Sequence, residues 1–235
     1  MFHLQKGDPV PQTLALIHTS PTLTPLFSDL CARQMPQVKL FHMVDESLIK
    51  ETVRAGALEK RTIRRLVGMI ESASGAGADA VMVTCSSIGE GVTLAQQLFD
   101  FPVIRIDDAM AEAAVQSGGK IGVIATLKTT LLPTAAQLRS KANAIGKSIE
   151  LVESLCDGAF EAVLAGDTAT HDRIVGSALI NDMAHVDAIV LAQASMARIV
   201  NAMPPETIKV PVFASPDLCV RRAHDILQQL SGAKA

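Results

Sequence analysis

Cys85 stands in the stretch Ala78–Glu90, ADAVMVTCSSIGE. An apolar run leads into the thiol and two serines follow it, so it is predicted to end a strand just before a helix. Ser87 and Glu90 have capping-box spacing, with Ser87 as the N-cap. The first turn of a helix offers free N–H groups and a partial positive charge. A thiol beside it has its thiolate stabilised, and its pKa can fall from about 8.5. The same N–H groups can hold a carboxylate. Two chemistries suit this set: proton transfer at the carbon next to a carboxylate, or nucleophilic attack by sulfur. The plain alternative is a small buried apolar side chain, the usual fate of a free cysteine.

The elements that would position Cys85 follow from a repeat. VDAIVLAQASMAR, Val186–Arg198, lies 108 positions after the Cys85 stretch, with Asp79 on Asp187 and Cys85 on Gln193. The same shift sets Asp45 on Glu153; shifts within one residue of it set Thr19 on Thr126, Thr22 on Thr129 and Pro102 on Pro211. Four strand-plus-loop units recurring in one order imply a duplicated chain. Predicted strands are Leu14–His18, Val38–Met43, Ala80–Thr84, Val103–Ile106, Ile121–Ala125, Ile149–Val152, Ala188–Ala192 and Val210–Phe213. Amphipathic stretches such as Lys60–Ser72, Leu131–Ala144 and Val220–Leu230 lie between them. Wholly apolar strands separated by helices predict buried parallel sheets.

The expected fold is therefore α/β, with two lobes related by a pseudo-two-fold axis. Each lobe is a parallel sheet flanked by helices. Residues 1–115 with 214–235 are assigned to the first lobe and 116–213 to the second. Ligands of open parallel sheets bind beyond the carboxyl ends of the strands, so the site belongs in the cleft between the lobes. The first lobe would contribute His18, Thr19, Ser20, Asp45, Thr84, Cys85, Ser86 and Ser87. The second would contribute Thr126, Thr129, Glu153, Gln193, Ala194 and Ser195. Small polar residues suit a small polar ligand. Asp45 and Glu153 serve equally well as caps of the helices that follow them, and His18 equally well as a satisfied strand-end histidine. Ser215-Pro216 reads as an N-cap followed by proline at the first helical position, a structural role.

With these residues in hand, the chain resembles the aspartate/glutamate/hydantoin racemase superfamily, which also includes maleate isomerases and arylmalonate decarboxylase. VMVTCSSIGEG resembles the first cysteine motif of that family, and IGVIATLKTTL resembles the opening of its second lobe. The resemblance covers nearly the whole chain. It implies catalysis without metal or other cofactor, on a small carboxylic acid substrate. Two thiols would face each other across the α-carbon, one removing a proton and the other delivering one. Here the second thiol position is Gln193. An amide is neither acid nor base near neutral pH. Cys85 would then work from one side, with His18, Asp45 or Glu153 as other acids or bases and Gln193 as a hydrogen-bond donor to substrate. The expected activity is a racemase/isomerase, with a single-cysteine decarboxylase or other lyase as the alternative. A non-catalytic carboxylate-binding protein and a thiol hydrolase using His18 are further alternatives.

The bulk composition excludes other classes. The 235 residues are 49% hydrophobic and 19% charged, with a net charge of -3, which suits a globular chain and offers no attraction to nucleic acid or anionic membrane. There is no Trp or Tyr on which bases could stack. Apolar runs are too short to span a membrane, and no signal peptide opens the chain. The glycine-rich SGAGAD and SGGK stretches precede strands, the reverse of a phosphate-cradling order. Cys31, Cys85, Cys156 and Cys219 have no paired spacing, which predicts free thiols, no metal site and a reducing, cytoplasmic setting. The apolar content is compatible with a homo-oligomer.

Overall fold

The computed structural model describes residues 12–204 and 206–234. The first sheet joins β1 (Thr13–His18), β2 (Lys39–Val44), β3 (Ala80–Val83) and β4 (Val103–Arg105), all parallel, in the order β2-β1-β3-β4. The second joins β5 (Lys120–Ala125), β6 (Glu150–Leu155), β7 (Ala188–Leu191) and β8 (Val212–Ala214) in the equivalent order β6-β5-β7-β8. The predicted strands are all present, with ends shifted by up to three residues.

Both faces of each sheet are covered, which is why the central strands are apolar throughout. On one face of the first sheet, Leu14, Leu16 and Met82 pack on α1 (Leu23–Gln34) and α10 (Ser215–Lys234). On the other, Ala15, Ile17 and Val81 meet α2 (Glu46–Ala55), α3 (Lys60–Gly75) and α4 (Gly89–Ala95). The second sheet sets Ile121, Val123 and Val190 against α5 (Asp108–Ser117) and α6 (Lys128–Ala144). Its opposite face packs on α7 (Ala159–Leu164), α8 (Thr168–Asn181) and α9 (Ala197–Ala202).

The two sheets exchange a helix. The last helix, α10, buries Cys219, Val220, Ala223 and Leu227 on the first sheet. The expected lobe boundary after residue 115 falls inside α5, which buries Met110, Ala111, Ala114 and Val115 with the second sheet. The apolar face of α5 therefore moves the crossing point ahead of residue 108.

Sheet register revises one part of the repeat. Ile17 pairs with Met43 and with Val83; Ile124 pairs with Ser154 and with Leu191. Met43 and Ser154 are thus equivalent, and the β2 and β6 units are displaced by three residues relative to the sequence match. The structural counterpart of Asp45 is Cys156: Asp45 N–H donates to the His18 carbonyl (3.0 Å) as Cys156 N–H donates to that of Ala125 (2.8 Å). Glu153 matches His42 instead, in the middle of a strand. The aspartates that open the repeated stretch have a common task. Asp79 accepts from the N–H of Thr13 (2.9 Å) and Asp187 from that of Lys120 (2.8 Å), fastening the start of β1 and β5.

Candidate active site

The carboxyl ends of β1, β3, β5 and β7 converge on one cleft of about 570 Å³. Its floor is polar: Thr19, Ser20, Thr84, Cys85, Ser86 and Ser87 come from the first lobe, and Thr126, Gln193 and Ala194 from the second. Its walls are largely apolar, with Ile49 and Val53 of α2 on one side and Phe160, Val163 and Leu164 of α7 on the other. The two lobes touch across the floor, where the hydroxyls of Ser87 and Thr130 lie 2.7 Å apart.

Cys85 ends the β3 segment in extended backbone (φ -132°, ψ 114°), and a 3-10 turn, Ser86–Ile88, leads from it into α4. The expected capping box does not form. Cys85 precedes the turn, Ile88 stands before α4, and the Ser87 hydroxyl is spent on Thr130. The thiol is not activated by its surroundings either. Burial pushes it above its ordinary value, although the Thr19 hydroxyl and the N–H groups of Ser87 and Ile88 pull the other way. The donors that favour the thiolate are present as expected, but withdrawal from water outweighs them. Burial therefore favours the thiol form of Cys85 over the thiolate.

Gln193 occupies the equivalent place after β7 and makes the equivalent bond. Thr126 N–H donates to Gln193 Oε1 (2.6 Å), and Gln193 Nε2 donates to the Thr126 hydroxyl (2.6 Å). Thr19 touches Cys85 in the first lobe as Thr126 touches Gln193 in the second. Both ends of the amide are engaged, so Gln193 braces β5 to β7.

Residues 16–223 match the family described as Asp/Glu/hydantoin racemase. The chain belongs to that family. It is accordingly a racemase-type enzyme. Its fold is shared with a glutamate racemase from Bacillus anthracis (TM-score 0.71, 19% identity, 93% of this chain and 82% of that one). It is likewise shared with an aspartate racemase from Picrophilus torridus (0.68, 14%, 94% and 94%) and an allantoin racemase from Klebsiella pneumoniae (0.65, 18%, 93% and 88%). No curated protein matches.

The racemase cleft does not gather every residue expected of it. His18 is fully buried beneath the floor: Nδ1 bonds the Thr84 hydroxyl and Nε2 bonds Nδ1 of His42, each at 2.8 Å. Burial, then the neighbouring His42, lowers its pKa to about 4. With both nitrogens engaged, His18 supports Thr84 from below and does not reach Cys85. Asp45 caps α2 by accepting from Ser47 N–H (3.0 Å) and pairs with Arg65, outside the cleft lining. Glu153 pairs with Arg139 (2.7 Å) on the outer strand β6, also outside it. Thr129 lies one position off the cleft; Thr130 lines it instead, because α6 begins at Lys128. The side chain of Ser195 lies outside the described residues.

Thr130, Ser215 and His171 are among the lining residues that escaped the sequence. Thr130 needed the helix start. Ser215 is the first residue of α10, buried, with its hydroxyl unpartnered among the described residues, and it occupies the place of Ile106 in the other lobe. His171 sits on α8, far along the chain from any strand end; its one local signal is the acid beside it, Asp172. Among the described residues no three His, Cys, Asp or Glu side chains are placed to hold a metal, and no helix is long and apolar enough to cross a membrane.

Proposed function

We propose that this enzyme moves a proton at the carbon next to the carboxylate of a small acid, with Cys85 as the transferring thiol. The observation that carries this reading is the place of Cys85 at the cleft floor, beside the Thr19 hydroxyl and the Ser87 and Ile88 N–H groups. Those groups, with the hydroxyls of Thr126 and Thr130, make a cradle for carboxylate oxygens. They also stabilise the enediolate formed when the α-carbon loses a proton or CO₂. The leucine, valine and phenylalanine side chains of α7, facing Ile49 and Val53, suit an apolar substituent on the acid. Carboxylate at the floor and apolar group at the walls fix which face of the α-carbon meets the thiol. The four free thiols fit a reducing, cytoplasmic setting.

A decarboxylase or other lyase is a second reading, favoured by Gln193. With its amide tied to Thr126, the second-thiol position delivers no proton. One thiol is enough to protonate one face of an enediolate left by CO₂.

Proton NMR in D₂O tests both readings, using α-substituted carboxylic and dicarboxylic acids with the wild-type protein and Cys85→Ala. Loss of an α-proton signal that depends on Cys85 establishes proton transfer at that carbon; optical rotation then reports racemisation. A Cys85-dependent loss of CO₂ with one-handed deuteration favours the lyase. No exchange and no product across the panel would leave a carboxylate-binding protein.

A further inference from the structure

Among the described residues, the second lobe brings one titratable side chain to the cleft, and it is His171. The remaining second-lobe lining is hydroxyl, amide or apolar. Glu46, Lys50 and Arg54, the other ionisable lining residues besides Cys85, all lie on α2 of the first lobe. A partner for Cys85 on the opposite side of a bound acid therefore has one source.

His171 is built for that task. It is 1% exposed, on the α8 side of the cleft. Its Nδ1 lies 2.8 Å from Asp172 Oδ1. Asp172 is gripped in turn by Arg198, with Nη1 to Oδ2 at 2.5 Å and Nη2 to Oδ1 at 2.6 Å. A carboxylate held by an arginine accepts hydrogen bonds and does not donate them, so Nδ1 carries the proton. Nε2 has no hydrogen-bond partner among the described residues. An imidazole whose ring is oriented by a carboxylate at Nδ1 presents Nε2 in a defined direction for proton transfer.

We propose that His171 Nε2 is the second proton-transfer group, facing Cys85 across the substrate α-carbon in place of the thiol that Gln193 does not supply. This rests on the proton-transfer reading of the cleft. In one direction Nε2 takes the α-proton, and the C–H electron pair passes into the carboxylate as an enediolate. The Cys85 thiol then gives its proton to the other face. Imidazolium and thiolate remain, and proton exchange with water restores the starting pair. In the other direction thiolate and imidazolium exchange roles. Asp172 acts through His171 and is a positioning residue.

The test follows each enantiomer of an exchanging acid separately in D₂O. His171→Gln is expected to lower racemisation by about 10²–10⁴-fold, while the enantiomer whose α-proton faces Cys85 still exchanges with retention. Cys85→Ala should show the mirror pattern, exchanging the other enantiomer. Racemisation within about twofold of wild type in His171→Gln overturns the proposal. So does equal loss of exchange for both enantiomers in a folded variant. Should His171→Gln not fold, Asp172→Asn decides: the ¹⁵N signal of Nδ1 should lose its protonated character and racemisation should fall at least about tenfold. Unchanged signals and rate overturn the assignment. A wild-type protein that exchanges no acid sinks the proton-transfer reading instead. His171 is then judged by titration with malonate. A His171 ¹⁵N signal that moves together with the Cys85 amide places the imidazole at the ligand, and one that stays still removes it.

Discussion

The two lobes share strand order, register and the threonine contact after the first strand, yet their strand ends carry different chemistry. In the first, β3 delivers a thiol; beneath it, the buried His18 and Thr84 form a hydrogen-bonded chain with the half-buried His42 and Ser28. In the second, β7 delivers an amide, and the places of His18 and Thr84 are the buried alanines Ala125 and Ala192. The first lobe also buries an ion pair close to the Cys85 turn. Arg105 bonds Asp107 through Nε (3.0 Å) and Nη2 (2.9 Å), and its guanidinium lies against Gly89, where a Cβ would collide with it. Register puts Ala214 at the place of Arg105. One fold thus supports a heavily polar, braced thiol end and a plain apolar end. The second lobe has its titratable group on a helix instead of a strand end.

Breaking the chemical difference should have the largest effect. Cys85→Ala is expected to slow racemisation by about 10²–10⁴-fold, whereas Gln193→Ala should slow it by no more than about tenfold; optical rotation compares the two. Equal effects would make the lobes chemically equivalent. The buried ion pair comes next. Asp107→Ala leaves the Arg105 guanidinium buried without its partner and should cost about 3–5 kcal/mol in urea unfolding. Ala214→Ser, at the Arg105 position of the other lobe, should cost much less.

The histidine chain sharpens the contrast through pH. The folded protein holds His18 neutral down to about 4, against 6.5 when unperturbed. Between those values the unfolded chain binds the extra proton, so its contribution is complete above pH 6.5 and is lost as pH falls through about 4. His42, also lowered by burial, acts in the same sense. Urea midpoints should fall over that window, and a variant with both histidines replaced by Gln should flatten the slope. An unchanged slope would show that the chain is not held neutral. Gln193→Leu removes the two bonds to Thr126 and leaves its N–H unpaired, which should cost about 1–3 kcal/mol. Smallest is Glu153→Gln. Its partly exposed pair with Arg139 is worth about 0–1 kcal/mol, and exchange rates should not change; a large rate effect would bring Glu153 back to the cleft.

Much of this was legible because apolar runs and turn residues act locally. The strands of both sheets, the cleft at their carboxyl ends, and the matched places of Cys85 after β3 and Gln193 after β7 all follow from period, spacing and repeat. Asp45 and Glu153 were mismatched because a three-residue displacement between α6 and β6 leaves the sequence similarity intact while changing the hydrogen-bonded partner. Thr129 was preferred to Thr130 because one residue at a helix start rotates the facing side chain by about 100°.

Sequence alone determined the α/β order of strands and helices, the amide Gln193 at the place matching Cys85, and the residues available for proton transfer. Tertiary structure decided which of them meet. It sank His18 under the floor and raised the Cys85 thiol by withdrawing it from water. It also carried His171 on α8 to the cleft wall, with Asp172 and Arg198 behind it. Burial and long-range contact depend on how whole elements pack, and no local pattern of residues records that.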